Sequence, residues 1–349
     1  MFKSVTLKDV AAKAGVSYQT VSKVINNKAN VSPETEKRIW DAIADLRYTT
    51  NYSARSLRRR RSNTIGYTWE PAPPDQSNPI LDTFLQSMFR AAEEKDYYLL
   101  CFPYHADDKN LLKVYRQLYD TGRVDGFVIS RLNYKDPTVP YLLERNMPFV
   151  GFGRLDEADK SFPYVDVDGG EGVAQAIAHL VSLGHRKIAA LAWPEDSRVG
   201  NNRMEGYYQG HAKAGLMPDP RLVSRGEGSS LVGFEATTRL LGLPMEIRPT
   251  AVVCMNDVMA IGAMQAVQQA GIQVGRDFGV TGFDDTPTAR YLTPPLTSIS
   301  QPISTIGENL MKRLIEYLET GAYPEPRCEL VAPMLEIRES TAGYLPAKE

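Results

Sequence analysis

Apolar positions near the start of the chain recur with the period of a helix. Leu7, Val10, Ala11 and Ala14 fall at i, i+3, i+4 and i+7, which puts them on one stripe. Thr6 is placed to cap that helix, with Asp9 three residues on as a capping-box partner. Gly15 supplies a C-terminal stop. Ser17 then caps a second helix, from Tyr18 to about Asn26, with Val21, Val24 and Ile25 inward. Ser32 caps a third, with Pro33 in its first turn, where a missing N–H costs little. Ile39, Ile43 and Leu46, with Trp40 beside them, are expected to close a miniature core. Two short helices across a three-residue glycine turn make a helix-turn-helix, whose second helix enters the major groove of DNA.

From Thr64 the period changes. Short apolar runs (TIGYTW, YYLLCF, DGFVIS, FVGF) alternate with amphipathic stretches (ILDTFLQSMFRAAEEK, KNLLKVYRQLYDTG), the signature of βαβ units around a parallel sheet. A second set follows: the strands YVDVD, KIAALAW, AVVCMN and FGVTGF, and the helices GVAQAIAHLVSLG, NRMEGYYQGHAKAG and DVMAIGAMQAVQQAG. The expected fold is an all-α helix-turn-helix head followed by an α/β body of two parallel-sheet lobes with a cleft between them. The head spans 1–50, a linker 51–63 and the body 64–349. Within the body, the first lobe takes about 64–162 plus about 300–325, and the second about 163–297 plus the C-terminal segment.

Composition narrows the classes. With 43% hydrophobic and 23% charged residues, a disordered, collagen-like or disulfide-stapled chain is set aside. No apolar run reaches membrane-spanning length and no signal core opens the chain, so a cytoplasmic protein is expected. Cys101, Cys254 and Cys328 are odd in number and far apart, a pattern of reduced thiols and not of a zinc site. His179 and His185, His105 and His211 form no metal constellation. Charge is informative only by position: residues 1–63 carry thirteen basic and five acidic side chains, a net of +8, while the rest carries 27 against 37, or −10. A basic head on an acidic body fits a polyanionic partner, although a solvated basic face reads the same way.

At TLKDVAAKAGVSYQTVSKVIN, VSPETEKRI and NYSARSLRRRRSNTIG the chain resembles the LacI/GalR family of bacterial transcription regulators. The resemblance implies a sequence-specific repressor of nucleoid DNA that binds a pseudo-palindromic operator as a homodimer. Its reading helix would present Tyr18 and Gln19 to base edges, with Lys23 further along where many relatives carry Arg. Gln pairs bidentately with adenine, and Lys donates to guanine. Ser17, Thr20, Ser22 and Asn26 fit phosphate contacts, or act as a cap (Ser17) and exposed polar positions (Thr20, Ser22), and Thr6 is counted with the DNA-binding residues. Asn51, Ala54, Arg55, Leu57 and Arg58 match the family's hinge helix, which is too short to form alone and orders in the minor groove. There Leu57 wedges between base steps, Ala54 permits close approach, and the run Arg58 to Arg61 attracts phosphate.

The body resembles the same family's periplasmic-binding-protein-like sensor through SNP (77–79), VDG (124–126), LGHRKIA (183–189), NRMEG (202–206), ND (256–257) and GFDD (282–285). In that fold the chain crosses between lobes three times, which returns 302–320 to the first lobe. Ligands of open α/β sheets lie beyond strand C-terminal ends. The resemblance nominates Arg203 and Asp284 as a clamp on vicinal hydroxyls, or else as an interlobe salt bridge. Asn256 and Asp257 either meet the ligand or cap a helix; Asn78 either contacts it or starts one; Arg154 is a cleft residue or a surface charge. Trp69 and Trp193 end strands where an indole suits the apolar face of a sugar ring, or packs in the core, and Glu70 could accept a hydroxyl proton. Relatives usually carry a small residue in place of Trp193, and the aromatic they often place before the FEATTR helix falls here near Gly228. A sugar effector is expected, with a purine or nucleoside as the alternative. The leucine heptads of a tetramerising tail are absent after Arg338, consistent with a dimer. No GxSxG, Walker or complete GxGxxG motif occurs, and no cofactor or catalytic residue is expected. A solute-binding module or a sugar-processing enzyme remains the competing class.

Overall fold

The computed structural model describes residues 5–25, 31–48, 61–69, 78–103, 108–156 and 160–343. The chain divides into two compact units, Met1–Ser62 and Asn63–Glu349.

The first unit holds helices α1 (Leu7–Ala14), α2 (Tyr18–Ile25) and α3 (Pro33–Asp45). The Asp9 carboxylate accepts from the Thr6 backbone N–H at 2.8 Å and from its hydroxyl at 2.7 Å, which starts α1. Gly15 ends it at φ 64°, a left-handed conformation that a side chain would strain. The Ser17 hydroxyl accepts from the Thr20 N–H at 3.1 Å, and that of Ser32 from the Thr35 N–H at 3.3 Å. Val10, Ala11, Ala14, Val21, Val24, Ile39 and Ala42 close the core. Trp40 departs from the expectation: it is 45% exposed. The inward place next to Ile39 on α3 goes to Ala42, because residue 40 lies about 100° further round the helix.

The second unit contains two six-stranded sheets. In the first lobe, β1 (Thr64–Trp69) leads to helix α4 (Pro79–Glu93), β2 (Tyr98–Pro103), α5 (Asp108–Asp120), β3 (Gly126–Ile129), α6 (Thr138–Glu144), β4 (Phe149–Phe152) and β5 (Tyr164–Val167). The second lobe follows with α7 (Gly169–Ser182), β6 (Ile188–Ala192), α8 (Arg198–Lys213), β7 (Val223–Arg225), α9 (Ser230–Leu241), β8 (Ala251–Cys254), α10 (Asp257–Gln269), β9 (Gly279–Asp284) and β10 (Thr297–Ser300). The chain then crosses back through α11 (Ile303–Thr320) and β11 (Cys328–Val331), and returns through β12 (Met334–Glu336) and α12 (Glu339–Ala342).

The sheet orders are β11-β5-β4-β3-β1-β2 and β12-β10-β9-β8-β6-β7. All described pairings are parallel except β10 with β12. Each order reverses beside its first strand, the switch point at which open α/β sheets receive ligands. The strand in YVDVD, grouped by sequence with the second lobe, belongs to the first: Gly151 pairs with Tyr164 and Phe152 with Val165. Its place after a loop hid that pairing, since the crossing comes one strand later. The first-lobe core joins Ile65, Phe84, Met88, Val128 and Val165 to Ile306, Leu310 and Leu314 of α11. No helix among the described residues is long and apolar enough to cross a membrane.

Candidate functional site

In the head, the first turn of α2 is presented outward by the burial of Val21 and Val24 on its opposite face. Tyr18 is 47% exposed, and Ser17, Gln19, Lys23 and Thr6 are exposed as well, with Thr20 and Ser22 half-buried. Two of the polar side chains are already engaged: the Ser17 and Thr20 hydroxyls share a hydrogen bond of 2.8 Å, and Thr6 is tied to Asp9. Asn26, Asn51, Ala54, Arg55, Leu57 and Arg58 lie outside the described residues, as does Glu70.

In the body, a cavity of about 630 Å³ opens between the lobes. Its first-lobe wall includes Tyr67, Ile80, Leu81, Phe84 and Phe152; its second-lobe wall includes Trp193, Arg198, Arg203, Asn256 and Asp284. Phe84 and Phe152 lie with ring centroids 5.0 Å apart. Asn78 also lines the cavity while its side-chain oxygen caps α4 by accepting from the Leu81 N–H at 3.0 Å.

Arg203 is buried at the centre. One Nη donates to the Met255 carbonyl, the other lies 4.0 Å from Asp284 Oδ1, and Nε has no hydrogen-bond partner among the described residues. The guanidinium carbon sits 3.4 Å from the Phe283 ring centroid and 4.8 Å from that of Trp193, an arrangement in which ring quadrupoles stabilise a desolvated cation. Burial pulls its pKa down to about 10, with Asp284 opposing. Asp284 ends β9 at φ 116°, and Gln301 Nε2 donates to its Oδ1 at 2.6 Å. Burial pushes this carboxyl up to about 7, against the pull of Arg203.

A second charged cluster joins the lobes. Arg198 Nη2 donates to Asp166 Oδ2 at 3.0 Å, and Arg154 Nε lies 3.4 Å from the same oxygen. Asp166 Oδ1 accepts from the Val167 N–H at 2.9 Å. Burial raises the Asp166 pKa even so, the two arginines opposing it. Asn133 Oδ1 accepts from the Arg198 backbone N–H at 2.9 Å. Asp166 and Asn133 come from the first lobe and Arg198 from the first turn of α8, so this cluster is a clasp between lobes.

The structure therefore gathers Arg203, Asp284, Asn256, Asn78 and Trp193 around one cavity and leaves others away from it. Asn256 works as a cap, its Oδ1 accepting from the Met259 N–H at 2.7 Å and its Nδ2 donating to the Gly228 carbonyl at 3.0 Å. Asp257 is turned into the second lobe, where it accepts from the Thr286 N–H at 2.7 Å, the Thr286 hydroxyl at 2.9 Å and the Ser298 hydroxyl at 2.5 Å. Trp69 is 37% exposed and is not among the lining residues, and Arg154 stands behind Asp166 as part of the clasp. Arg198, Asp166 and Gln301 carried no signal in the sequence. The pattern starts α8 at Asn202, whereas the Ser197 hydroxyl accepts from the Gly200 N–H at 3.1 Å and begins the helix a turn earlier. Among the described residues no group of three or more His, Cys, Asp or Glu could hold a metal ion.

Comparison with known proteins decides the family. Residues 6–51 match the model for bacterial regulatory proteins of the lacI family, and 177–341 match the periplasmic binding protein-like domain. The HTH-type transcriptional repressor CytR of Escherichia coli K12 is 31% identical over 341 residues, covering 96% of each chain. The chain belongs to the LacI family. The crystal structure of a LacI-family regulatory protein from Chloroflexus aggregans is similar at 45% identity and TM-score 0.76, over 80% of this chain and 99% of that one. The structure of a complex of the regulator CelR with cellobiose matches at 30% identity and TM-score 0.72, over 96% and 99%. This LacI-family chain is a DNA-binding transcriptional regulator, with the helix-turn-helix head and two-lobed parallel-sheet body of its relatives.

Proposed function

We propose that the protein is a homodimeric cytoplasmic repressor whose affinity for a pseudo-palindromic operator is set by a saccharide held between the lobes. The observation that carries the effector class is the composition of the cavity: the indole of Trp193 and the first-lobe side chains Ile80, Leu81, Phe84 and Phe152, facing the Arg203 guanidinium and the Asp284 carboxylate. Apolar C–H faces of a pyranose suit the former. Its vicinal hydroxyls suit the latter, since guanidinium donates in a fork and carboxylate accepts. The cellobiose bound by CelR, a relative of the same architecture, supports the same class.

On DNA, Tyr18, Gln19 and Lys23 read base edges while Thr6, Ser17, Thr20, Ser22 and Asn26 meet phosphate. Asn51, Ala54, Arg55, Leu57 and Arg58 form the minor-groove segment, with Leu57 as the wedge. Effector and operator are linked because a ligand that binds one arrangement of the lobes better shifts the population by its differential affinity. A nucleoside is the second reading, favoured by the Phe84 and Phe152 rings at the cleft, which offer a flat base an apolar face.

A thermal-shift screen against cellobiose, maltose and adenosine tests this. A ligand at 100 times its Kd stabilises its native state by about 2.7 kcal/mol. A shift with a sugar that is absent from Arg203→Ala is the expected result; a shift with adenosine alone overturns the saccharide.

A further inference from the structure

Two neighbouring residues at the end of β9 hold backbone conformations that a side chain disfavours. Asp284 sits at φ 116° and Asp285 at φ 46°, positive values on residues that carry a Cβ. Such a turn persists only where its surroundings over-determine it. Asp284 and Thr286 line the cavity, and Asp285 between them is not among the lining residues. Its buried carboxylate lies between two arginines: Arg338 Nη2 stands 2.6 Å from Oδ1, and Arg290 Nη2 donates to Oδ2 at 3.2 Å. The Arg290 side chain is 63% exposed and that of Arg338 only 16%, so solvent screens the first pair far more than the second. The Asp285 N–H donates to the Ser298 hydroxyl at 3.0 Å. Arg338 is itself fixed, its Nη1 donating to the Leu296 carbonyl at 2.7 Å and its backbone N–H to the Thr297 hydroxyl at 2.9 Å. It stands between β12 and α12, in the segment that follows the third crossing between lobes. One guanidinium fork thus ties the turn after β9 to the chain entering β10.

We propose that Arg338 is a positioning residue of the effector site: from outside the cavity it holds Asp285, and so keeps the Asp284 carboxylate turned toward Arg203 and the space between the lobes. Without it, Asp285 is a buried carboxylate beside Asp257 and Asp284 with one solvent-screened partner, a state whose desolvation cost the turn relieves by relaxing outward. Asp284 moves with it. This role presupposes that the cleft is the effector site, whereas the brace on Asp285 stands on contacts between protein groups alone.

Calorimetric titration of the full chain with cellobiose, maltose and adenosine tests this. Arg338→Met keeps the alkyl stem and removes the fork. It should weaken binding of whichever probe the wild-type chain binds by about tenfold or more, the scale of a hydrogen bond to a charged group. Arg338→Lys, which keeps the charge but cannot make both contacts, should lose less. Asp285→Asn, close in shape, cuts the same pair from the other side and should reproduce the loss where Arg338→Met folds poorly. Added to Asp284→Asn, Arg338→Met should cost little more, because its effect passes through that carboxylate. Unchanged affinity in Arg338→Met and Asp285→Asn overturns the proposal, as do additive losses in the double variant, which mark Arg338 as a residue of stability alone. Hydrogen exchange reads the brace without ligand: the Asp285 and Thr286 amides should exchange faster in Arg338→Met while those of α7 stay as in wild type, and unmoved exchange at 285 and 286 also overturns it. Failure of the saccharide reading is separately visible as silence of the wild-type chain toward both sugars, and adenosine titration with the exchange measurement then decides the role of Arg338.

Discussion

The two lobes share a strand order and differ in what they bring to the cleft. Both place their first strand beside a switch point, β1 between β2 and β3 and β6 between β7 and β8, so both aim residues into the same space. The first lobe supplies Tyr67, Ile80, Leu81, Phe84 and Phe152, and the second supplies the Arg203 and Asp284 pair with Trp193 above it. Topology dictates where a site forms, and the side chains at strand ends dictate what it binds. Ile80, Leu81, Phe84 and Phe152 offer surface beside Ser130, Arg131 and Asp166 of the same lobe, and Arg203 and Asp284 of the other offer directional bonds, so a ligand gains fully from both only when the lobes face each other. The clasp of Arg198 with Asp166 is the chain's own contribution to that facing.

Removing the clasp should break the comparison most severely. Asp166→Asn leaves Arg154 and Arg198 buried without their shared carboxylate, and by the usual cost of breaking a buried ion pair it should destabilise the body by about 3–5 kcal/mol. Urea unfolding measures this; a loss near zero would show that the lobes are held by other contacts. Arg203→Ala should remove about 3 kcal/mol of effector affinity, the upper range for a hydrogen bond to a charged group, read by calorimetric titration. Ile80→Ala, on the apolar wall, should cost only about 1 kcal/mol of affinity for the same ligand through lost apolar contact. Equal losses in the two variants would contradict the division of labour between the walls.

A pH dependence of stability is expected as well. Burial raises Asp284 from 3.8 to about 7 and Asp257 to about 6, so between those values and 3.8 the folded state binds protons that the unfolded chain has released. Their contribution to stability is therefore complete below pH 4 and lost as pH rises through 6 and 7. Asp284→Asn should flatten the upper part of that slope in a series of urea midpoints. A midpoint that rises from pH 5 to 7 in the wild type and is flattened by the substitution would reverse the assigned sign.

Much of this was legible in the sequence because it is local. Thr6, Gly15, Ser17 and Ser32 announce the head helices through their own backbone neighbours, and the alternation of strands and helices announces the lobes. Arg203 and Asp284 were legible only through family resemblance. What escaped depends on contacts across the chain. The strand in YVDVD joins the first sheet through β4 and β11, a pairing that no local pattern encodes. Asp257 sits beside Asn256 in sequence, yet its carboxylate meets Thr286 and Ser298 inside the second lobe. Gln301 reaches Asp284 because β10, which pairs Ser300 with Asp284, ends at the second crossing.

The proposed control of the head's hold on DNA lies with ligand in this cleft. It is tested most directly by operator affinity, with an operator selected from randomised DNA, measured for wild type and Arg203→Ala with and without the sugar that stabilises the wild type. Equal affinities are expected without sugar, and a change on adding it in wild type alone. An identical change in both proteins would contradict it.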